Sequence, residues 1–151
     1  MSRNCSDAEG NLAIQIAATN GDQKTLALLL EKGESIYGIK PKGIYHLIRK
    51  GDVATIQFLV DHGFNIKEDY SNITYGDHAV FEGQADVVKL IKSLGGNINA
   101  PTAFVALATN DAKTLSKALK LSNASNQKFQ GLTLEKFAKK IERSNLLEQE
   151  R

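Results

Sequence analysis

Residues 51–66, GDVATIQFLVDHGFNI, restate a pattern already written at residues 21–36, GDQKTLALLLEKGESI, with six of the sixteen positions identical. A third copy stands at residues 83–98, GQADVVKLIKSLGGNI. The copies align on Gly21, Gly51 and Gly83. Five residues on come Leu26, Ile56 and Val88; eight on, Leu29, Leu59 and Ile91. Twelve on comes a second glycine, Gly33, Gly63 and Gly95, and fifteen on an isoleucine, Ile36, Ile66 and Ile98. A chain that keeps one phase through three copies builds one structural unit three times.

The spacing has a physical reading. Apolar residues five, seven, eight and nine places after the first glycine make one stripe of a helix about three turns long. The second glycine falls where a helix end calls for a left-handed residue. The isoleucine beyond it folds back over that end. A shorter apolar segment precedes each first glycine, as in NLAIQIAATNG (11–21) and KGIYHLIRKG (42–51), with Ile14 spaced to Ala17 and Ala18, and Ile44 to Leu47 and Ile48. The unit is therefore helix, glycine turn, helix, glycine cap and an extended connection.

A degenerate fourth copy, FVALATNDAKTLSKAL (104–119), places Asn110 where the others have glycine; asparagine is the next best residue for a left-handed turn. Its stripe is thinner at Ala118, which leaves a groove or an exposed patch as an expectation. Thr133 then caps a helix whose apolar face is Leu134, Phe137, Ala138 and Ile141, and whose other face is charged, as a terminal unit requires. The tail cations Lys136, Lys139, Lys140 and Arg143 alternate with Glu135, Glu142, Glu148 and Glu150, the pattern of a solvated face.

The 151 residues suffice for one domain with a core of its own. Nineteen lysines and arginines against seventeen acids give a net charge of +2, too small to argue for nucleic acid or an anionic membrane. No apolar run reaches the length of a membrane span, and the start, MSRNCSDAEG, has no apolar core of a signal peptide. Cys5 is the one cysteine, so no internal disulfide forms, which fits a reducing compartment. These features set the expectation of a cytoplasmic protein.

Three passages, NLAIQIAATNGDQKTLALLLEKGESI, GIYHLIRKGDVATIQFLVDHGFNI and GDHAVFEGQADVVKLIKSLGGNINA, resemble the ankyrin repeat. The ending GNINA is similar to the family's end-of-repeat signature, whereas the Thr-Pro-Leu-His opening of its first helix is absent. The resemblance implies an all-α solenoid of helix-turn-helix units joined by short hairpins. It divides the chain into a flexible N-terminus (1–10) and one repeat domain (11–150). The units fall at 11–38, 39–67, 68–100 and a degenerate 101–127, followed by a C-terminal cap at 128–150. The second unit is about three residues short between Ile36 and Gly51, which trims the connecting hairpin there.

In function the resemblance implies a module that binds a protein partner through hairpin tips and the inner-helix face, with no cofactor and no catalysis. The tips would carry Tyr37, Lys40, Lys42, Lys67, Asp69 and Tyr70. The positions ending the inner helices would add Arg49 with Lys50 and Phe81 with Glu82. An exposed tyrosine gives much contact area at little entropic cost. Packing of Tyr37 and Tyr70 on neighbouring hairpins is the plain alternative. Phe81 has no evident core role in the sequence.

No catalytic, cofactor or metal site is expected. His46, His62 and His78 fall in three different units, and none pairs at a metal-ligand spacing. Asp77-His78 has no nucleophile beside it, Cys5 has no base, and no phosphate-binding loop occurs. The reading is a monomeric adaptor or inhibitor. A bacterial or viral effector copying a host scaffold, acting in the host cytosol, is the alternative to which the Asn-, Ile- and Lys-rich, Trp-free composition points. A self-association module comes next, and an enzyme last.

Overall fold

Asp22, Asp52 and Asp111 each begin a helix, and each does so in the same way. One carboxylate oxygen accepts the backbone N–H of Thr25, Thr55 or Thr114 at 3.1 Å. The other accepts the same threonine's hydroxyl at 2.6 to 2.8 Å. These caps satisfy N–H groups that a helix start leaves without intrahelical partners. Directly before each capping position the chain reverses through positive φ: 66° at Gly21, 73° at Gly51, 67° at Gly83 and 57° at Asn110. Gly21 admits no side chain on a second ground, since a Cβ there would stand 2.5 Å from Asp52 Oδ2.

A computed structural model describes residues 13–67, 73–121 and 126–150. Within them the helices come in pairs: α1 (Ala13–Thr19) with α2 (Gln23–Glu31), α3 (Pro41–Lys50) with α4 (Val53–Asp61), α5 (Tyr75–Phe81) with α6 (Ala85–Ser93), and α7 (Thr102–Ala108) with α8 (Ala112–Leu119). A fifth pair, α9 (Leu134–Lys140) and α10 (Ser144–Glu150), closes the chain. Helices this short are not stable alone in water, so packing of the repeated stripe holds them. The first helices stack in one row, α1 on α3, α3 on α5, α5 on α7 and α7 on α9. In the second row α4 packs on α6 and α8 on α10.

The core follows the expected stripe five and eight places after each first glycine, whereas Leu28, seven places on in the first unit, is 49% exposed. Leu26, Ile56 and Val88 are buried, as are Leu59 and Ile91, while Leu29 of the first pair is half-buried. Each fully buried Leu or Ile stabilises by about 1.5–3 kcal/mol relative to exposure. Ile36 and Ile66 close over the helix ends, and Ile98 packs against the same core.

The connections differ from the expected extended ones. After α2 the chain makes a 3₁₀ turn at Ile36–Gly38, which buries Ile36 and Ile39 three places apart on one side. The strands among the described residues are β1 (Lys128–Phe129) and β2 (Leu132–Thr133), paired antiparallel. Gln130 and Gly131 join them with φ of 51° and 77°, the two positive values of a type I′ turn.

Thr133 caps α9 as expected, accepting the Lys136 N–H at 3.3 Å. The helix stops at Lys140, and the chain turns through Glu142 at a φ of 59°. It then adds α10, a helix the sequence reading did not separate. Ala118 lies on no groove: it is buried, and α8 carries α10 packed against it. Phe104, Phe129 and Phe137 form an aromatic cluster in the last two pairs, with centroids 5.2 to 6.0 Å apart.

Candidate partner-binding surface

The 3₁₀ turn decides where Tyr37 points. Ser35 Oγ accepts the Tyr37 N–H at 3.1 Å, and the buried Ile36 and Ile39 anchor the turn on either side. Tyr37, between them, is 77% exposed. The turn is also tied to the first helix, because Gln15 Oε1 accepts the Lys40 N–H at 2.7 Å. Lys40 is thereby fixed as the residue before α3, and Pro41 opens that helix where no N–H is needed.

Helix α3 buries Gly43, Ile44, Leu47 and Ile48. Its opposite stripe carries Lys42, His46, Arg49 and Lys50, at the i, i+4, i+7, i+8 spacing of one helical face. Lys42, Arg49 and Lys50 are exposed and His46 is half-buried. Arg49 Nε stands 3.9 Å from Glu82 Oε1, and the Arg49 carbonyl accepts from Gln84 Nε2 at 2.8 Å. Lys40, Lys42 and Lys50 have no carboxylate in ion-pair range among the described residues.

Tyr37 lies on the 3₁₀ turn, Lys40 at the cap of α3, and Lys42, Arg49 and Lys50 on the exposed side of that helix. Lys67 is a separate point: it is exposed, its N–H is held by Asn65 Oδ1 at 3.0 Å, and its stem lies by Gly95. Asp69 and Tyr70 lie outside the described residues. Glu82 is half-buried and faces both Arg49 and His78 Nε2, the latter at 4.0 Å.

Phe81 does have a packing role, which the sequence reading lacked. Its half-buried ring meets Phe129 edge-on at 6.2 Å and lies under the Lys140 ammonium. The side chains responsible come from β1 and α9, far along the chain, so nothing around Phe81 announces them.

Two positioning residues went unread. Gln15 and Asp77 stand at the same place, six residues before Gly21 and Gly83. Each buried side chain holds the backbone of the following connection. Gln15 takes the Lys40 N–H, and Asp77 Oδ1 accepts from Asn99 and Ala100 at 2.7 and 2.8 Å. The signal was available: a polar residue inside an apolar first helix, twice at one repeat position.

His62 and His78 have local partners. His62 Nδ1 is 2.7 Å from the Phe58 carbonyl, at the end of α4. The His78 ring packs on Tyr45 at 4.7 Å. Burial holds the His78 imidazole below its ordinary value, and the Glu82 carboxylate opposes that effect. Among the described residues no three His, Cys, Asp or Glu side chains gather as a metal would need. A cleft of about 700 Å³ opens between α6 and α7, with Lys89 and Lys92 on one wall and Val105, Ala106 and Asp111 on the other.

Paired helices of equal phase, left-handed turns between them, and one row of first helices define the architecture. A solved structure shares it: the human ASB11 ankyrin repeat domain superposes with a TM-score of 0.65 over 99% of this chain and 72% of that one. This is an ankyrin-repeat fold. Sequence identity to that domain is 17%, so the likeness concerns the fold alone. No protein-family model matches the chain, and no curated protein matches it in sequence. In the ankyrin fold observed here, no helix among the described residues is long and apolar enough to cross a membrane.

Proposed function

We propose that this ankyrin-fold protein is a protein-binding module, an adaptor or an inhibitor that occludes its partner, acting as a monomer and without turnover. Its contact surface is Tyr37 together with the exposed stripe of α3, and Lys67, Asp69 and Tyr70 are further contacts read from the sequence. The observation that carries this reading is the 77% exposure of Tyr37 on a turn anchored by buried Ile36 and Ile39, near lysines with no carboxylate in ion-pair range among the described residues. A large aromatic exposed to water on a turn with an anchored backbone has no role in the core, and a tyrosine contributes contact area to an interface at little entropic cost. The site is set on helices and pinned by Gln15, so little ordering remains to be done on binding. Glu82 borders this surface, and Phe81 is assigned to packing.

His62, His78 and Asp77 support a binding role over a catalytic one, since each sits in a local structural contact rather than in a shared site. The test is affinity capture from cell lysate with the wild type and a Tyr37→Ala, Arg49→Ala variant, both first shown folded by thermal melting. A partner held by the wild type and lost by the variant is the expected result. Equal capture by both proteins would move the site off this face.

A further inference from the structure

We infer that the partner segment seated on α3 is acidic. The inference rests on the reading above that this face binds a protein. Between Glu34 and Asp52 the chain carries Lys40, Lys42, Arg49 and Lys50 and no acid. Fifteen of the nineteen lysines and arginines and all seventeen acids lie elsewhere, so the rest of the chain is net negative. The +2 of the whole molecule conceals a local charge of +4 on one turn and one helix.

Folding keeps that charge together. Burial of Gly43, Ile44, Leu47 and Ile48 turns Lys42, Arg49 and Lys50 to the same side, with Lys40 at the helix start. The neighbouring first helices do little to offset it. α1, AIQIAAT, has no charged residue. α5 carries Asp77, whose Oδ1 is engaged by the Asn99 and Ala100 N–H groups, and Glu82 at its C-cap has its 3.9 Å contact with Arg49 alone among these cations. Lys42 stands seven and eight residues before Arg49 and Lys50, about 10–12 Å along the axis at roughly 1.5 Å per residue and beyond a Debye length of roughly 8 Å, so both ends attract one anionic segment only when it spans the helix.

The arrangement fits a short acidic stretch of protein better than a nucleic acid. A long polyanion running past α3 would meet a net-negative molecule, whereas a segment of one or two turns would not. Tyr37, beside Lys40, supplies an apolar contact that an amphipathic acidic segment can use and a phosphate backbone cannot. Glu82 is the built-in competitor, since it already occupies part of Arg49's field.

The experiment is selection of random peptides displayed on phage against the immobilised full chain. Selected peptides are then measured by fluorescence anisotropy at two salt concentrations, with a labelled oligo-dT strand in parallel. Peptides enriched in Asp and Glu, weakened by salt, are expected. A folded Lys42→Glu, Lys50→Glu variant is expected to bind them about tenfold more weakly. Glu82→Gln is expected to bind them more tightly, because it releases Arg49. Selection of peptides without excess acid, selection of none, or tighter binding of oligo-dT would each overturn the inference. If the selected peptides are neutral while lysate capture still depends on Tyr37 and Arg49, the face stands and only its acidic preference falls. If neither assay responds to changes on α3, the binding face itself is wrong.

Discussion

The Lys140 ammonium stands 4.0 Å from the centre of the Phe81 ring and donates to the Phe81 carbonyl at 2.6 Å. One side chain from the fifth helix pair therefore closes the end of a helix in the third. The ring face and the helix C-terminus both attract a cation, and Lys140 meets both at once. Ile141 follows it down, close enough to Gly83 that a Cβ there would stand 2.7 Å from Ile141 Cγ2.

Lys140→Met keeps an apolar stem and removes the charge. It is expected to lower the unfolding free energy by about 1 kcal/mol. Phe81→Ala, which also empties the space beside Phe129, is expected to cost about 2–3 kcal/mol. Urea unfolding of both variants checks this. A Lys140→Met protein as stable as the wild type would show that the contact contributes nothing in solution.

Asp77 is 5% exposed and accepts two backbone N–H groups from the next connection. Asp77→Ala leaves both donors without that oxygen, and a loss of about 2–4 kcal/mol follows. Asp77→Asn keeps an acceptor oxygen in the same place and is expected to recover more than half of it. Amide exchange of Asn99 and Ala100 reads the contact directly, and unchanged protection in the Ala variant would contradict the assignment.

Glu142 turns the chain at a φ of 59°, the role that Gly21 plays at 66° in the first pair. A left-handed backbone costs an L-residue about 1–2 kcal/mol, less what glycine loses in freedom on folding. Glu142→Gly is therefore expected to stabilise by about 0.5–1 kcal/mol. Gly21→Ala is expected to destabilise, since its Cβ would also meet Asp52 Oδ2 at 2.5 Å. Thermal melting distinguishes the two; opposite signs are required.

The Thr25 and Thr114 hydroxyl bonds, ahead of the backbone bonds, hold the Asp22 and Asp111 carboxyls below the ordinary value of 3.8. Their contribution is complete above that value, where both folded and unfolded forms are ionised. It is lost as pH falls through the lowered folded values, because the unfolded chain takes up protons first. Asparagine caps a helix without titrating. The Asp22→Asn, Asp111→Asn variant should lose less stability than the wild type on acidification below 3.8. Parallel urea midpoints across that range would count against the caps as the source of acid sensitivity.

The sequence by itself determined the first four helix pairs and the core positions five and eight places after each first glycine, but not the separation of α9 from α10. Those follow from a 3.6-residue period and from turns that glycine, or Asn110, accepts locally. Arg49 and Lys50 were also legible at the end of their helix, because Ile44, Leu47 and Ile48 claim its other face, whereas Lys42, expected on a hairpin tip, lies in the first turn of α3. Only the tertiary structure decided which side chains from distant units meet. It put Lys140 and Phe129 on Phe81, and Arg143 Nη1 on the carbonyls of Leu107, at 2.6 Å, and Ala108. It replaced the first hairpin by a 3₁₀ turn that sets Tyr37 in water, and it let Glu142 take a backbone turn that its side chain does not favour. Local period and turn chemistry act within a few residues and are written in the order of the chain. Contacts between units depend on how the stack closes, and no window of sequence contains both partners.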